Sequence, residues 1–206
     1  MQKIEISNLS KRFGNKLLFR SINAVFTSGV HGIAGPNGSG KSTFLKCLIG
    51  LQKPGSGQIV FSMNGKTLSP AERLTKVAYT GPYINTYTEL TVLENLQFLS
   101  RLLDKSPDSA GMLLNKLGIS DIGDQLVGSL SSGQQQRVRI ASALIKDSPI
   151  LFLDEPGNNL DRDGNDLIAS VLDESRSANR LVLLATNQQS ELELCDDILH
   201  INDYKK

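Results

Sequence analysis

An octapeptide, Gly35-Pro36-Asn37-Gly38-Ser39-Gly40-Lys41-Ser42, separates a short apolar run at residues 30–34 from a stretch with helical spacing at residues 41–49. It fits G-x-x-x-x-G-K-[ST] at every required position, and a strand followed by a helix is the context that pattern needs. Glycines let backbone N–H groups curl inward around an anion without Cβ clashes, and the following helix adds its positive end. Gly35, Pro36, Asn37, Gly38, Ser39, Gly40 and Thr43 would then cradle phosphate, Lys41 would reach the β- and γ-phosphates of a nucleotide, and Ser42 would hold Mg²⁺. The third glycine of G-x-G-x-x-G is missing, which disfavours a dinucleotide fold.

A second apolar run, residues 150–153, ends in Asp154-Glu155-Pro156. A carboxylate at the C-terminal edge of a buried strand beside the phosphates can hold Mg²⁺ through water, which makes Asp154 the metal partner of Ser42. Glu155, one residue further along an extended chain, projects differently and is the candidate to orient an attacking water.

The rest of the chain supports one large α/β unit. With 206 residues, 39% of them hydrophobic and 21% charged, it has the composition of a globular protein rather than a disordered or fibrous one. Lys and Arg number 22 against 21 Asp and Glu, so no bulk attraction to nucleic acid is expected. No apolar stretch approaches the length of about 20 residues that crosses a bilayer, and the N-terminus lacks a signal-peptide pattern, so a cytoplasmic location is expected. Cys47 and Cys195 lack the neighbours of a metal site and read as buried thiols in a reducing compartment. His31 and His200 lie in strand-like runs and read as structural.

Short apolar runs bounded by Gly or Pro alternate with amphipathic stretches, the pattern of a largely parallel sheet. Ile4 and Ile6 alternate with charged residues, and residues 58–62 precede Asn64-Gly65, a hairpin dipeptide, so an antiparallel β layer lies beside the main sheet. Thr91-x-x-Glu94 fits a capping box, followed by Leu93, Leu96, Phe98, Leu99, Leu102 and Leu103 at helical spacing. Residues 108–117, closed by Gly118, predict a second helix. The expected fold is a P-loop NTPase α/β core, at about residues 1–87 and 136–206, with an inserted helical subdomain at about residues 88–135.

The run Leu130-Ser131-Ser132-Gly133-Gln134-Gln135-Gln136-Arg137, some fifteen residues before Asp154-Glu155, resembles the signature motif of ATP-binding cassette (ABC) ATPases, with Ser132 where the commonest form has glycine. Together with the phosphate loop and Asp154-Glu155-Pro156-Gly157-Asn158-Asn159-Leu160-Asp161, the likeness covers nearly the whole chain in the expected order. Read by themselves, Ser131, Ser132 and Gly133 lie where a helix begins and offer hydroxyls, N–H groups and a positive dipole to an anion; an ordinary N-cap would use the same residues. The resemblance implies that the anion is the γ-phosphate of ATP held by a second ABC ATPase subunit, two cassettes sandwiching two nucleotides head to tail, with Ser131, Ser132, Gly133 and Gln134 contributed in trans. It further implies that Asp161 runs along the dimer seam and that Phe13 stacks on adenine, a core phenylalanine being the other reading of that residue.

Two positions depart from the family pattern. Residues 77–82 align with a strand that normally ends in a glutamine sensing the metal and γ-phosphate, and here the residue is Pro82, which has no amide. Residues 181–186 lead to Asn187 where the switch histidine is expected, and an asparagine donates a hydrogen bond without a titratable proton. The resemblance therefore implies a slow ATPase that binds ATP well and uses Lys41, Glu155 and Asn187. Two alternatives remain: Gln188 supplies the missing contact, or the chain pairs with a cassette that carries the active site.

As a cassette without a membrane span, the chain resembles the ATPase subunit of an ABC transporter, which implies an integral membrane transporter subunit as partner at the inner face of the membrane. Its brevity and its Leu-Ser-x-Gly-Gln-Gln form resemble the small ATPase of the haem exporter used in cytochrome c maturation. Tyr83, Ile84, Tyr87 and Leu90 put apolar groups in a loop, where the family receives a short helix of the membrane partner; a local core under the insertion would use them too. The alternative function is a soluble cassette acting as a clamp or translation-type factor.

Overall fold

The first two strands, β1 (Gln2–Phe13) and β2 (Lys16–Thr27), form a long antiparallel hairpin. The computed structural model, which describes residues 1–82, 86–160 and 162–205, then runs through β3 (Gly29–Ala34) and the phosphate-loop segment into α1 (Lys41–Ile49). β4 (Ser56–Met63) pairs with the other edge of β1 and turns through Asn64 (φ 51°) and Gly65 (φ 80°) into the short β5 (Lys66–Thr67). Two left-handed residues in succession make the turn that matches the twist of a two-residue hairpin, as the Asn-Gly dipeptide predicts.

α2 (Pro70–Lys76) leads into β6 (Val77–Thr80). α3 (Val92–Leu102) starts at Thr91 as predicted: Glu94 N–H donates to Thr91 Oγ1 at 3.2 Å, and Thr91 N–H donates to Glu94 Oε2 at 2.8 Å. Its apolar stripe is narrower than the leucine spacing suggests, because Phe98 and Leu102 face solvent while Val92 and Leu96 are buried. α4 (Asp108–Lys116) is followed by Leu117 and by Gly118 in the left-handed region. α5 (Ser132–Leu144), β7 (Ile150–Asp154), α6 (Arg162–Ser177), β8 (Leu181–Thr186), α7 (Gln189–Leu192) and β9 (Asp197–His200) complete the chain.

The strands form two sheets: an antiparallel one in the order β2-β1-β4-β5 and a parallel one in the order β6-β7-β8-β3-β9. The central parallel strands are buried on both faces, so their side chains divide by parity between two cores. Ile150 and Phe152 of β7, with Leu181, Leu183 and Ala185 of β8, meet α1 and the antiparallel sheet. Leu151 and Leu153, with Val182 and Leu184, meet α3, α5 and α6 on the other side. Phe44 of α1 lies edge-on to Phe19 of β2, centroids 5.8 Å apart, which joins the antiparallel layer to the first of these cores.

Parallel register decides where the strands end. Asp154 lies opposite Ala185, and Ala185 opposite Ile33, so β7, β8 and β3 deliver three loops to one carboxyl edge. His31 is buried within β3, its ring bonded to Asp197 at 2.5 Å and to the Thr27 carbonyl at 2.7 Å, whereas His200 is exposed at the end of β9. Cys47 is buried in α1 and Cys195 is half-buried. Among the described residues, no helix is long and apolar enough to cross a membrane.

Candidate functional site

The turn after β3 closes tightly on itself. A Cβ at Gly35 would sit 2.6 Å from Ser39 Oγ, and Gly40, at φ 111° on the threshold of α1, faces Leu18 at 3.3 Å. Side chains at those two positions would clash or strain the backbone. Lys41 is only 4% exposed, and its ammonium donates to the Gly35 carbonyl at 2.7 Å and lies 2.7 Å from Glu155 Oε1. Ser39 Oγ, inside the loop, is buried without a hydrogen-bond partner. A buried cation, an orphaned hydroxyl and a helix N-terminus converging on one turn suit an anion with several oxygens.

Asp154, the last residue of β7, is fully buried. Ser42 Oγ donates to its Oδ1 at 2.8 Å and the Tyr79 hydroxyl to its Oδ2 at 3.0 Å. Burial pushes the Asp154 carboxyl above the ordinary aspartate range, and these two hydrogen bonds oppose the shift. A carboxylate and a hydroxyl at contact distance are the hard oxygen donors that Mg²⁺ takes through one or two protein ligands, so Ser42 and Asp154 fit that ion.

Glu155 departs from the extended geometry expected of it. Its φ is +53°, uncommon for a residue with a side chain, and its N–H donates to the Ala185 carbonyl at 2.7 Å. The chain turns there rather than running on, which brings Oε1 to Lys41 and leaves Oε2 buried without a hydrogen-bond partner. Gln136 of α5 fixes the same turn, its Nε2 donating to the Pro156 carbonyl at 2.9 Å and to that of Glu155 at 3.3 Å.

The phosphate-loop cleft, about 690 Å³, is also lined by Phe13, Lys16, Pro82 and Asn158. Phe13 is 48% exposed at the end of β1, with the Lys11 ammonium 4.9 Å from its ring centroid, so it is a wall of the cleft and not a core residue. Asn187, exposed after β8, donates from Nδ2 to Asn37 Oδ1 of the phosphate loop at 3.0 Å. The Gln188 amide donates to Asn158 Oδ1, a residue of the same cleft, at 3.4 Å.

The signature run lines a different cleft of about 590 Å³, together with Asp121, Arg137 and Asn159. Ser131 is the N-cap of α5: its hydroxyl accepts from Gln134 N–H at 3.3 Å, and the Gln134 side chain accepts from Ser131 N–H at 3.0 Å. Those two side chains therefore serve their own helix, while Ser132 stays exposed and Gly133 lies against the Asn159 carbonyl, 2.8 Å from where a Cβ would be. The turn after β7 separates the clefts, with Asn158 on one side and Asn159 on the other. Within one chain the signature is not brought to the phosphate loop. Asp161, Tyr83 and Ile84 lie outside the described residues.

Sequence reasoning misses Tyr79, Gln136 and Glu191. Gln136 is a polar residue on the buried stripe of α5, a visible signal. Glu191 of α7 is buried against Gly157, its Oε1 2.3 Å from where a Cβ at 157 would stand. Burial pushes its carboxyl up, with the Thr186 hydroxyl and the Gly157 N–H pulling it back. No sequence spacing announces that contact.

A parallel sheet whose carboxyl edge carries a Gly-rich loop, a buried lysine and an acidic strand end is a P-loop nucleoside triphosphatase. Residues 23–158 match the ABC transporter family, and the chain belongs to that family. It is 30% identical to the lantibiotic transport ATP-binding protein SrtF of Streptococcus pyogenes over 197 residues, 95% of this chain and 85% of that protein. It is 31% identical to the cytochrome c biogenesis ATP-binding export protein CcmA of Haemophilus influenzae over 190 residues, 91% of this chain and 90% of that one. The likeness to the cytochrome c maturation protein is thus about equal to that with a lantibiotic transport protein. The solved structure of an ATP-binding subunit of an ABC transporter superposes with a TM-score of 0.82 at 25% identity, covering 96% of this chain and 85% of that one.

Replacing Lys41 with Ala removes the buried cation while leaving the loop's glycines in place. ATP affinity is expected to fall at least about tenfold, or about 1.4 kcal/mol. Titration calorimetry giving an unchanged dissociation constant would refute the assignment of the loop.

Proposed function

We propose that this chain binds MgATP in the phosphate-loop cleft and hydrolyses it as one half of a head-to-tail pair of cassettes, driving an integral membrane transporter subunit. The observation that carries this is the meeting of Lys41, Ser42, Asp154 and Glu155 at the ends of two strands of one sheet. The two separate clefts support the pairing, since signature residues that line a different cleft from their own phosphate loop are placed to meet a nucleotide held by another chain. The names of the relatives, a lantibiotic transport protein and a cytochrome c biogenesis export protein, support a transport role.

Phe13 offers a ring to the base, the loop and Lys41 bind the phosphates, and Ser42 and Asp154 would hold Mg²⁺, which would supply neutralisation of the phosphate charge. Lys41 leaves Glu155 for the incoming phosphate oxygens, and Glu155 is then free to accept a hydrogen bond from the attacking water. The water oxygen bonds to the γ-phosphorus and gives one proton by way of Glu155 to the product phosphate, while the bond to the bridging oxygen breaks and ADP leaves with that electron pair. Ser132 and Gly133, with the N–H groups at the start of α5, are the trans contribution to the γ-phosphate of the opposed subunit; Asp161 belongs to the seam.

Tyr87 is 53% exposed and packs edge-on against Phe98, centroids 5.4 Å apart, on a loop that Asn95 pins by accepting from Tyr87 N–H at 2.8 Å. This rigid aromatic pair, with the neighbouring half-buried Leu90, is the surface we assign to the membrane partner. Attachment there would place the chain at the inner face of the membrane.

Glu155→Gln keeps the metal ligands and replaces the carboxylate with a neutral amide that cannot take a proton from the water. ATP is expected to accumulate with the variant in a dimer seen by size-exclusion chromatography, and turnover to fall well below that of the parent. A variant that hydrolyses ATP at the parental rate would show that another group orients the water.

Asn187 keeps a donor near the loop but lacks the charge a histidine can carry, and Pro82 adds no amide. Wild-type turnover is therefore expected below the ordinary enzymatic range of about 1 to 10³ per second. Asn187→His should raise it toward the hundredfold to thousandfold, roughly, that one transition-state contact is worth, with little change in ATP affinity. A parent already in that range, or a histidine variant no faster, would show that Asn187 is compensated.

A further inference from the structure

Tyr79 of β6 and Phe152 of β7 are partners in parallel register, so Tyr79 projects to the same sheet face as Asp154, two residues further along β7. Two residues of strand span about 6.6 Å, a step that a phenol ring can cross and a serine or threonine cannot. The step is crossed here, with the Tyr79 hydroxyl 3.0 Å from Asp154 Oδ2. Gly81 leaves the room for it, because a Cβ at that position would meet the Tyr79 hydroxyl at 2.7 Å and Asp154 Cβ at 3.0 Å. The ring itself packs against the core that contains Phe152 and α1.

Among the described residues, Ser42 donates to Asp154 Oδ1 and Tyr79 to Oδ2. The two donors differ in what they can do next. The Ser42 hydroxyl can keep its proton on Oδ1 while lending a lone pair to a cation, so it belongs to the ligand side of the site. Tyr79 comes from a strand that carries none of the phosphate-binding residues and acts on the far oxygen. The terminal torsion of an aspartate is soft, and a buried carboxylate held at one oxygen only can swing about it.

We propose that Tyr79 is a positioning residue for the divalent cation: its hydroxyl locks the rotation of the Asp154 carboxylate and leaves the oxygen beside Ser42 aimed at the metal position. The inference rests on the assignment of Asp154 to Mg²⁺ and deepens it. A hydrogen bond from a neutral hydroxyl to a buried carboxylate is charge-assisted, and its loss leaves Oδ2 desolvated without a partner.

The test is Tyr79→Phe in the full chain, which keeps the ring in the core and removes only the hydroxyl. ATP binding is measured by titration calorimetry, first in EDTA and then at rising Mg²⁺. The expected result is affinity in EDTA within about twofold of the parent and a Mg²⁺ midpoint raised about tenfold, the size of one charge-assisted hydrogen bond. In an Asp154→Asn background the same substitution should move the midpoint no further, because Tyr79 acts through that carboxylate. A Mg²⁺ midpoint unchanged in Tyr79→Phe, or an equal shift with and without Asp154, would overturn the proposal and leave Tyr79 as a packing residue. A parent whose ATP binding ignores Mg²⁺ would overturn the metal assignment itself, and the role of Tyr79 with it.

Discussion

A lysine ammonium and a glutamate carboxylate meet at 2.7 Å in a place where neither is exposed, and the rest of the site is arranged around that contact. Buried ion pairs contribute little net stability, because desolvation offsets their attraction, yet removing one partner strands the other at a cost of about 3–5 kcal/mol. Lys41 has further acceptors in the Gly35 and Pro36 carbonyls, at 2.7 and 3.4 Å, so its charge is held by the loop it belongs to. Such a cation is poised to exchange partners. In the proposed mechanism a phosphate oxygen arriving in the loop takes the place of Glu155 beside Lys41, and the buried carboxylate so released takes the attacking water as its new partner.

The pair exists because three parallel strands end abreast. β3 supplies the loop that leads to Lys41, β7 supplies Asp154 and Glu155, and β8 between them supplies Ala185, whose carbonyl holds the Glu155 N–H at 2.7 Å. The left-handed turn at Glu155 is held by that hydrogen bond and by Gln136 of α5, which donates to the carbonyls of Glu155 and Pro156. Gln136 belongs to the signature run, so the helix whose N-terminus opens the second cleft also braces the Glu155 turn of the first. Glu191 of α7 lies against the same turn at Gly157, where any side chain would meet its carboxylate. The geometry of Glu155 is therefore coupled to β8 and to α5.

Features carried by neighbours in sequence were legible before the fold. The Asn64-Gly65 hairpin, the Thr91 and Ser131 helix starts and the loop-to-helix transition at Lys41 all follow from local backbone chemistry. Features that depend on register were not. Tyr79 meets Asp154 across 75 residues, and only the pairing of β6 with β7 puts them on one face. Glu155 reads as continuing the strand; Pro156-Gly157 signals a turn just beyond it, while the left-handed conformation at Glu155 itself is held by tertiary contacts. Phe13 could have been a core residue or a wall of the cleft, a choice settled by the end of the β1 hairpin standing clear of both cores.

The central claim is that nucleotide binding exchanges the partner of Lys41, and the most direct measurement is a crystal structure of the unsubstituted chain with Mg²⁺ and a non-hydrolysable ATP analogue. The account predicts Lys41 Nζ within hydrogen-bond distance of the β- and γ-phosphate oxygens and the Glu155 carboxylate beyond about 4 Å from it, the limit of a direct ion pair. A bound nucleotide with the Lys41–Glu155 pair still at its present 2.7 Å would contradict it.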